Sequence, residues 1–315
     1  MEGEISMNKY HFSTVISNKY VFKAIVMHDS LTRHCTDFHL YMLCVEDEAF
    51  EILSERHWGN VTMIRLGDIE DGDLLQAKGN RTHLEYCWTL KPAILRYVMQ
   101  TYPEAQYFAH IDADLCFFSN PEVIFNEAPS ASLFLTDHRN SDRFLYTYDL
   151  TGRFNTGFVG CKNDPIGHAA IEWWKRRCLE WCYTDNKVEE KLFGDQRYVE
   201  RWPSLFGNVH VVNNVGVNVA IWNIEKYHVS LRNGETYIDD NNLVFYHFSG
   251  FSMYSGREYN LSWFFQLPPP VVDYIYMPYV FLLSQRIEDI QRKHAGFSHG
   301  FIRRGEVPDV HYLAI

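Results

Sequence analysis

Hydrophobic and polar positions along the chain form short apolar runs separated by amphipathic stretches, and this alternation predicts an α/β fold. Apolar runs predict strands at residues 20–27, 40–45 and 61–66. Amphipathic stretches predict helices near residues 33–38 and 47–55. Strands and helices that alternate at this spacing indicate a mainly parallel sheet flanked by helices.

The second half of the chain continues this pattern. Further strands are predicted before Asp112 and at 131–136, 153–161, 209–212 and 243–248, with helices at 92–101, 122–125, 164–183, 194–203 and 278–293. The chain contains no internal repeat and no low-complexity linker. We therefore predict one catalytic domain at residues 1–262, with an aromatic and helical C-terminal appendage at 263–315 packed on it.

A buried strand that ends in two carboxylates is the most informative stretch. The mainly apolar run 107–111 is too short to span a membrane and suits a central strand, and Asp112 and Asp114 follow it. Ligands of open α/β sheets bind beyond the carboxyl ends of strands. Two carboxylates this close repel, so a divalent cation is one interpretation of the pair. The alternative is that one carboxylate caps the next turn and the other is solvated.

Composition narrows the function classes. The net charge is −11 and no run of Lys and Arg forms a basic face, which excludes a general nucleic-acid binder. Seven cysteines without a C-x-x-C pair indicate reduced thiols in the cytosol. The start at residues 1–4 lacks the features of a signal peptide, and no apolar stretch has spanning length. We expect a cytoplasmic protein without a transmembrane segment, and a peripheral membrane contact stays open.

Other polar residues lie near the predicted ends of elements. Arg81 and Lys91 are candidates to bind phosphate, with ordinary surface charges as the alternative. The apolar run 243–248 delivers His247 to a loop as a potential metal ligand, although a lone His in such a run is usually a core residue. Asp195 is positioned to cap the helix that follows it, and Gln196 lies beside it. Dinucleotide and P-loop fingerprints do not follow the first strand.

An ordered set of motifs resembles a known family. The set comprises Asp112-Ala113-Asp114, Phe154-Asn155-Thr156-Gly157-Phe158, Gly194-Asp195-Gln196 and His247-Phe248-Ser249-Gly250. This order resembles enzymes of the glycosyltransferase-A fold over roughly residues 20–255. Similarity is greatest to family 8-like nucleotide-diphospho-sugar transferases of bacterial surface-polysaccharide pathways. The resemblance implies a UDP-sugar donor, a glycan or glycoconjugate acceptor, and transfer with retention.

The resemblance also implies roles for individual residues. Asp112, Asp114 and His247 would hold Mn²⁺ or Mg²⁺ on the donor diphosphate, and Asp112 would also face the ribose. Asp195 and Gln196 would lie beside the anomeric carbon as the catalytic pair. The full set of expected donor or substrate contacts is His28, Asp29, Arg81, Lys91, Asp112, Asn155, Gly157, Gly250 and Arg257.

The sequence departs from the family at the phosphate-binding lysine. Family 8 relatives carry this lysine shortly after the His-containing motif. Here residues 251–257 read Phe-Ser-Met-Tyr-Ser-Gly-Arg, without a lysine. Arg257 is therefore the expected substitute.

Two other function classes share parts of the pattern. A metal-dependent phosphohydrolase of the haloacid-dehalogenase type also uses an apolar strand that runs into D-x-D. However, Cys116 stands where that class has Thr, and several βα units precede the motif. A non-catalytic carbohydrate-binding protein would use the aromatic residues, 16% of the chain, which an enzyme explains equally through its core and sugar stacking. Metal-dependent release of nucleoside diphosphate, rather than inorganic phosphate, distinguishes the transferase from the hydrolase.

Overall fold

Strands alternate with helices through the first half of the chain, and short strands dominate the second half. The structure is a computed structural model and describes residues 8–315, so the predicted absence of a signal peptide at residues 1–4 lies outside the described residues. The first elements are β1 (Tyr10–Ile16), α1 (Val21–His34), β2 (Phe38–Cys44), α2 (Asp47–Ser54), β3 (Val61–Arg65), α3 (Gly72–Lys78), α4 (His83–Thr101), β4 (Tyr107–Ile111), β5 (Leu115–Phe117), α5 (Glu122–Asn126), β6 (Leu133–Asp137), α6 (Thr147–Thr151) and β7 (Phe154–Lys162). The remaining elements are α7 (Pro165–Glu180), α8 (Trp202–Leu205), β8 (Val209–Val211), β9 (Val219–Ala220), β10 (Val229–Arg232), β11 (Glu235–Ile238), β12 (Asn241–Asn242), β13 (Phe245–His247), β14 (Ser252–Met253), β15 (Glu258–Asn260), α9 (Pro269–Val271), α10 (Met277–Lys293) and β16 (Tyr312–Ala314).

The central sheet has seven strands in the order β3-β2-β1-β4-β7-β6-β8. β1 pairs in parallel with β2 and β4, β2 pairs in parallel with β3, and β6 pairs in parallel with β8. β7 runs antiparallel to both of its neighbours, β4 and β6. The sheet is therefore mixed and mainly parallel, which confirms the predicted fold class.

Helices cover both faces of this sheet, so the central strands are buried on both sides. Alternate side chains of β4 enter different apolar layers: Tyr107, Ala109 and Ile111 join the layer that contains α1 and α10. Phe108 joins the layer that contains α4 and α7. β4 can therefore be apolar at almost every position, and the carboxylates that follow it lie at the edge of the core.

The predicted strand at 20–27 is wrong, because these residues form the first half of α1. α1 packs against β5 and α10, and most of its side chains are buried, so its apolar run lacks a polar face. A short apolar run of this kind does not distinguish a buried strand from a buried helix. The first strand is instead β1, seven residues of mixed polarity, and the helix predicted near 33–38 is the end of α1 followed by β2.

Two predicted helix ends also differ in the structure. α4 begins at His83 rather than at Pro92, because Thr82 and Glu85 form a reciprocal capping box at its start. Pro92 consequently lies inside the helix. Trp202 and Pro203 begin α8 instead of ending a helix. The start of α7 is confirmed, since the Asp164 carboxylate accepts a hydrogen bond from the Gly167 backbone N–H at 2.8 Å.

Residues 263–315 contain α9, α10 and β16. α10 packs against α1, and β16 pairs with β15, which precedes the predicted boundary at 262. The division into a catalytic domain and an appendage stays a prediction. Within residues 8–315, none of the helices combines the length and the apolar character that a membrane crossing requires.

Candidate functional site

Asp112, Asp114 and His247 form a cluster beyond the carboxyl end of β4. One ligand atom from each residue lies within 4.8 Å of the others. His247 Nε2 is 3.2 Å from Asp114 Oδ1 and 4.0 Å from Asp112 Oδ2. The convergence has a backbone cause: β5 starts directly after the D-x-D motif and pairs with β13, which sets His247 opposite Leu115. His247 therefore shares one site with two aspartates that precede it by more than 130 residues in sequence.

The His247 ring is held from behind by β7. Its Nδ1 donates to Asn155 Oδ1 at 3.2 Å, and the same oxygen accepts from the Gly157 backbone N–H at 2.9 Å. An amide oxygen only accepts hydrogen bonds, so Nδ1 carries the proton and Nε2 is left to bind a cation. Gly157 leaves room for the ring, since a Cβ there would lie 2.7 Å from His247 Nδ1. Asn155 and Gly157 therefore support His247, and their predicted sugar contacts stay predictions.

Lys91 is buried and lies between two carboxylates, so the interpretation of it as an ordinary surface charge is wrong. Its Nζ is 2.8 Å from Asp112 Oδ1 and 3.9 Å from Asp195 Oδ2. Burial acts to lower the pKa of Lys91, but Asp112 and Asp195 outweigh burial and raise it. Burial likewise acts to raise the pKa of Asp112, but the Lys91 ammonium together with His110 and His247 outweighs burial and lowers it. The Lys91–Asp112 pair is therefore charged.

Asp195 is 3% exposed, and one of its carboxylate oxygens makes no hydrogen bond to the described residues. Oδ2 has no hydrogen-bond partner among residues 8–315, and burial raises the pKa of this carboxyl group. Within that range its side chain makes no capping hydrogen bond to the following turn, so the capping interpretation is wrong. Gln196 is fully engaged: its Oε1 accepts from Asn155 Nδ2 at 3.2 Å, and its Nε2 donates to the Thr151 carbonyl at 2.7 Å.

His28 and Asp29 do not join this cluster. Both residues lie inside α1, which continues to His34. His28 Nε2 contacts Asn60 Oδ1 at 3.0 Å, and the Asp29 carboxylate accepts from Arg286 at 2.6 Å. The structure therefore gives both side chains partners away from the D-x-D motif.

Arg81 and Arg257 also have other surroundings. Arg81 donates to the Leu179 carbonyl at 2.7 Å and to the Thr89 hydroxyl at 2.9 Å. Arg257 is exposed in the turn between β14 and β15.

Gly250 follows His247 by three residues and has a φ of +72°, and a Cβ there would lie 2.8 Å from the Phe264 ring. Its predicted backbone approach to the phosphates stays a prediction.

Two buried bases of the site were missed at the level of sequence. His110 Nε2 lies 3.1 Å from Asp112 Oδ1, and burial lowers the pKa of His110. The contact between His110 and Asp112 could have been predicted from the sequence, because residues two apart along an extended chain point to the same face. Lys23, on α1, is also buried, and the charge of Asp114 acts on it. Because residues 20–27 were assigned to a strand, Lys23 was not recognised as a residue near the site.

Comparison with solved structures identifies the fold. The chain is similar to the galactosyltransferase LgtC, solved in complex with donor and acceptor sugar analogs, with a TM-score of 0.56. The match covers 87% of this chain and 95% of that chain at 10% sequence identity. At this identity the likeness shows the fold, which is of the glycosyltransferase-A type. No protein-family model matches the chain.

Two proteins of Bacillus subtilis (strain 168) are similar in sequence. The uncharacterized protein YfnD is 49% identical over 310 residues, which cover 98% of this chain and 100% of YfnD. The uncharacterized protein YfnF is 33% identical over 257 residues, which cover 78% of this chain and 83% of YfnF. Identity of this extent along nearly the whole length reflects common descent. The chain therefore belongs to the protein family that includes YfnD and YfnF.

Proposed function

We propose that this protein is a metal-dependent glycosyltransferase that moves a sugar from a nucleotide-diphosphate donor to a glycan or glycoconjugate acceptor. The observation that carries this proposal is the cluster of Asp112, Asp114 and His247 beyond the central strand of a glycosyltransferase-A fold. Open α/β sheets bind their ligands at that edge.

The cluster fits a divalent cation. Two carboxylates and an imidazole whose Nδ1 is already hydrogen-bonded are a donor set that suits Mn²⁺, and Mg²⁺ is the alternative. The site sets two buried ammonium groups, Lys23 and Lys91, against three carboxyl groups, the buried Asp114 and Asp195 and the partly exposed Asp112. It has no surplus positive charge for a diphosphate until a cation binds. When bound, the cation would act as a Lewis acid that neutralises charge on the departing nucleoside diphosphate.

Asp195 is proposed to act at the sugar. Its buried Oδ2 lacks a hydrogen-bond partner among the described residues, although Lys91 Nζ lies 3.9 Å away, and such an atom is costly unless a ligand contacts it. A donor-sugar hydroxyl would satisfy this oxygen, and positive charge that develops at the anomeric carbon would be stabilised by it. Gln196 is the second proposed catalytic residue, and it would act through an amide that Asn155 and Thr151 already orient.

The finer features of this function follow the family resemblance. They are a UDP-sugar donor, retention of the anomeric configuration, a role in surface-polysaccharide synthesis, and a cytoplasmic location with a peripheral membrane contact. Retention is tested separately, because NMR coupling constants of the product report its anomeric configuration. An inverted product would remove retention from the proposal and leave the metal site untouched.

A thermal-shift panel of nucleotide sugars, with and without Mn²⁺, tests the proposed function. A ligand that binds the native state at about a hundred times its Kd stabilises it by about 2.7 kcal/mol, which is readily measured. We expect at least one nucleotide sugar to raise the Tm only when Mn²⁺ is present. Asp114→Asn should abolish this shift, and Asp73→Asn, at an exposed acid on α3, is the matched control. The absence of any Mn²⁺-dependent shift across the panel would contradict the proposal.

A further inference from the structure

Lys23 is a buried lysine whose ammonium group has no hydrogen-bond acceptor within residues 8–315. The residue is 9% exposed, and Nζ lies over the rings of Tyr20 at 5.1 Å and Phe251 at 5.8 Å. Cation–π contacts compensate only part of the cost of removing an ammonium from water. The remaining cost leaves this group suited to an anion that the protein does not itself supply.

Packed aromatic residues connect Lys23 to the metal cluster. The Phe248 backbone N–H donates to the Asp114 carbonyl at 3.0 Å, and the Phe248 ring lies 6.0 Å from the Phe251 ring. The Phe251 ring in turn lies under Nζ of Lys23. The Asp114 carboxylate acts on its charge, although no carboxylate oxygen of the described residues is within 4.0 Å of Nζ. Tyr20, three residues earlier, is also close enough for Asp114 and Asp112 to raise the pKa of its hydroxyl. Lys23 belongs to the first turn of α1, where backbone N–H groups favour negative charge as well.

The other cationic candidates for the phosphates have partners or lie elsewhere. Lys91 Nζ already contacts Asp112 at 2.8 Å. Arg81 donates to the Leu179 carbonyl, and Arg257 is exposed in a turn. Among the described residues, Lys23 is therefore the cation next to Asp114 that is not committed to a hydrogen-bonded ion pair.

The segment after the His-containing motif explains why this lysine comes from α1. Residues 248–262 contain no lysine, and Met253, buried in β14, lies with the Lys19 carbonyl around Gly300, just before α1 begins. Phe251, in the same segment, contacts the Lys23 ammonium through its ring. The ammonium group that lies near residues 248–262 is thus that of Lys23 on α1, since these residues contain no lysine of their own.

We propose that Lys23 is the residue that contacts the donor diphosphate in this protein, in place of a lysine after His247. This role depends on the proposed function, because it requires that a nucleoside diphosphate binds beside Asp114. It also replaces the expected role of Arg257.

Binding of nucleoside diphosphates tests this role. UDP, GDP, ADP and dTDP are titrated by calorimetry into the wild type at saturating Mn²⁺, and the tightest is then titrated into the variants. Lys23→Met should weaken its affinity roughly tenfold to a hundredfold, the scale of one hydrogen bond to a charged group. Lys23→Arg should retain most of the affinity. Lys19→Met is the matched control, since Lys19 is an exposed lysine on the same segment.

A second readout separates phosphate contact from a structural role. Mn²⁺ affinity without nucleotide, measured by electron paramagnetic resonance, should stay equal or rise in Lys23→Met, because a positive charge near Asp114 is removed. Weakening of both Mn²⁺ and diphosphate binding would instead show that Lys23 only supports Asp114, and would overturn the proposal. Wild-type diphosphate affinity in Lys23→Met would also overturn it. If no diphosphate binds the wild type with Mn²⁺, the proposed function itself fails.

Discussion

Gly157→Ala should disable the metal site through His247 while β7 stays folded. A Cβ at this position would lie 2.7 Å from both Cε1 and Nδ1 of the His247 ring and 2.7 Å from Asn155 Oδ1. Ordinary contacts begin at 3.4 Å, so the ring must retreat by about 0.7 Å, the difference between these two distances. Metal–ligand distances tolerate only about 0.2 Å. His247 should therefore lose the cation that Asp112 and Asp114 still contact.

The expected loss of Mn²⁺ affinity is roughly tenfold to a hundredfold, the scale for removing support from a metal-ligating His. Overpacking should also lower the free energy of unfolding by about 1–3 kcal/mol. Mn²⁺ titration followed by electron paramagnetic resonance measures the first quantity, and urea unfolding measures the second. Gly160→Ala, on the same strand, is the matched control, because the atoms nearest to its Cβ would belong to the side chains of Phe125, Phe158 and Phe134, at 3.2–3.3 Å.

The control should lose stability without losing Mn²⁺ affinity. If folded Gly157→Ala binds Mn²⁺ as tightly as the wild type does, His247 is not a ligand held against β7 and the reasoning is refuted. Equal losses of Mn²⁺ affinity in the two variants would attribute the effect to general damage in β7.

Three further predictions follow from the same contacts. Asp195→Asn should lower kcat by roughly two decades or more with little change in Tm, because it removes one electrostatic contact of the transition state; steady-state kinetics that match the wild type would assign Asp195 a structural role. Asn155→Leu should weaken Mn²⁺ binding roughly tenfold or more, whereas Asn155→Asp should retain Mn²⁺ binding, because a carboxylate still accepts a hydrogen bond from His247 Nδ1. Equal Mn²⁺ affinities of the two variants would contradict this prediction. Burial lowers the pKa of His11 from 6.5 to about 4, so as the pH decreases the unfolded chain takes up a proton at His11 before the folded protein does. The free energy of unfolding should therefore fall by up to about 3 kcal/mol between pH 6.5 and pH 4. Urea unfolding at several pH values should show a shallower fall for His11→Phe, and an unchanged slope would rule out this contribution.

The D-x-D end of the site could be predicted from sequence because its position is local. Four apolar residues among the five before Asp112 indicate a buried strand, and a strand end specifies where the next side chains lie. Asn155 was identified through the family resemblance, and His247 was a candidate metal ligand from its apolar run that the resemblance assigned to the cation. The contact between them, and the tautomer it sets, depend on the pairing of β13 with β5 and on the position of β7, which are long-range features.

The errors have related causes. Residues 21–28 of α1 are all buried, because the helix packs against β5 and α10, so the sequence there shows no helical alternation of apolar and polar positions and Lys23 was missed. Asp29 was expected at the donor, but Arg286 lies 257 residues away in sequence and pairs with it. Arg257 has the right charge in the right segment of sequence, yet the β14–β15 turn carries it to the surface. Charge and spacing identified candidate residues, and tertiary contacts determined which of them share a site.

Release of nucleoside diphosphate from a nucleotide sugar tests the central claim most directly. Phosphorus NMR follows the nucleotide sugar that most stabilises the wild type, first with Mn²⁺ and then with excess chelator. The proposed function predicts that nucleoside diphosphate accumulates with Mn²⁺, that the chelator stops it, and that Asp114→Asn shows a large loss of rate while still folded. Release that continues unchanged in the chelator, or inorganic phosphate as the first product, would contradict a glycosyltransferase that acts through a cation at Asp112, Asp114 and His247.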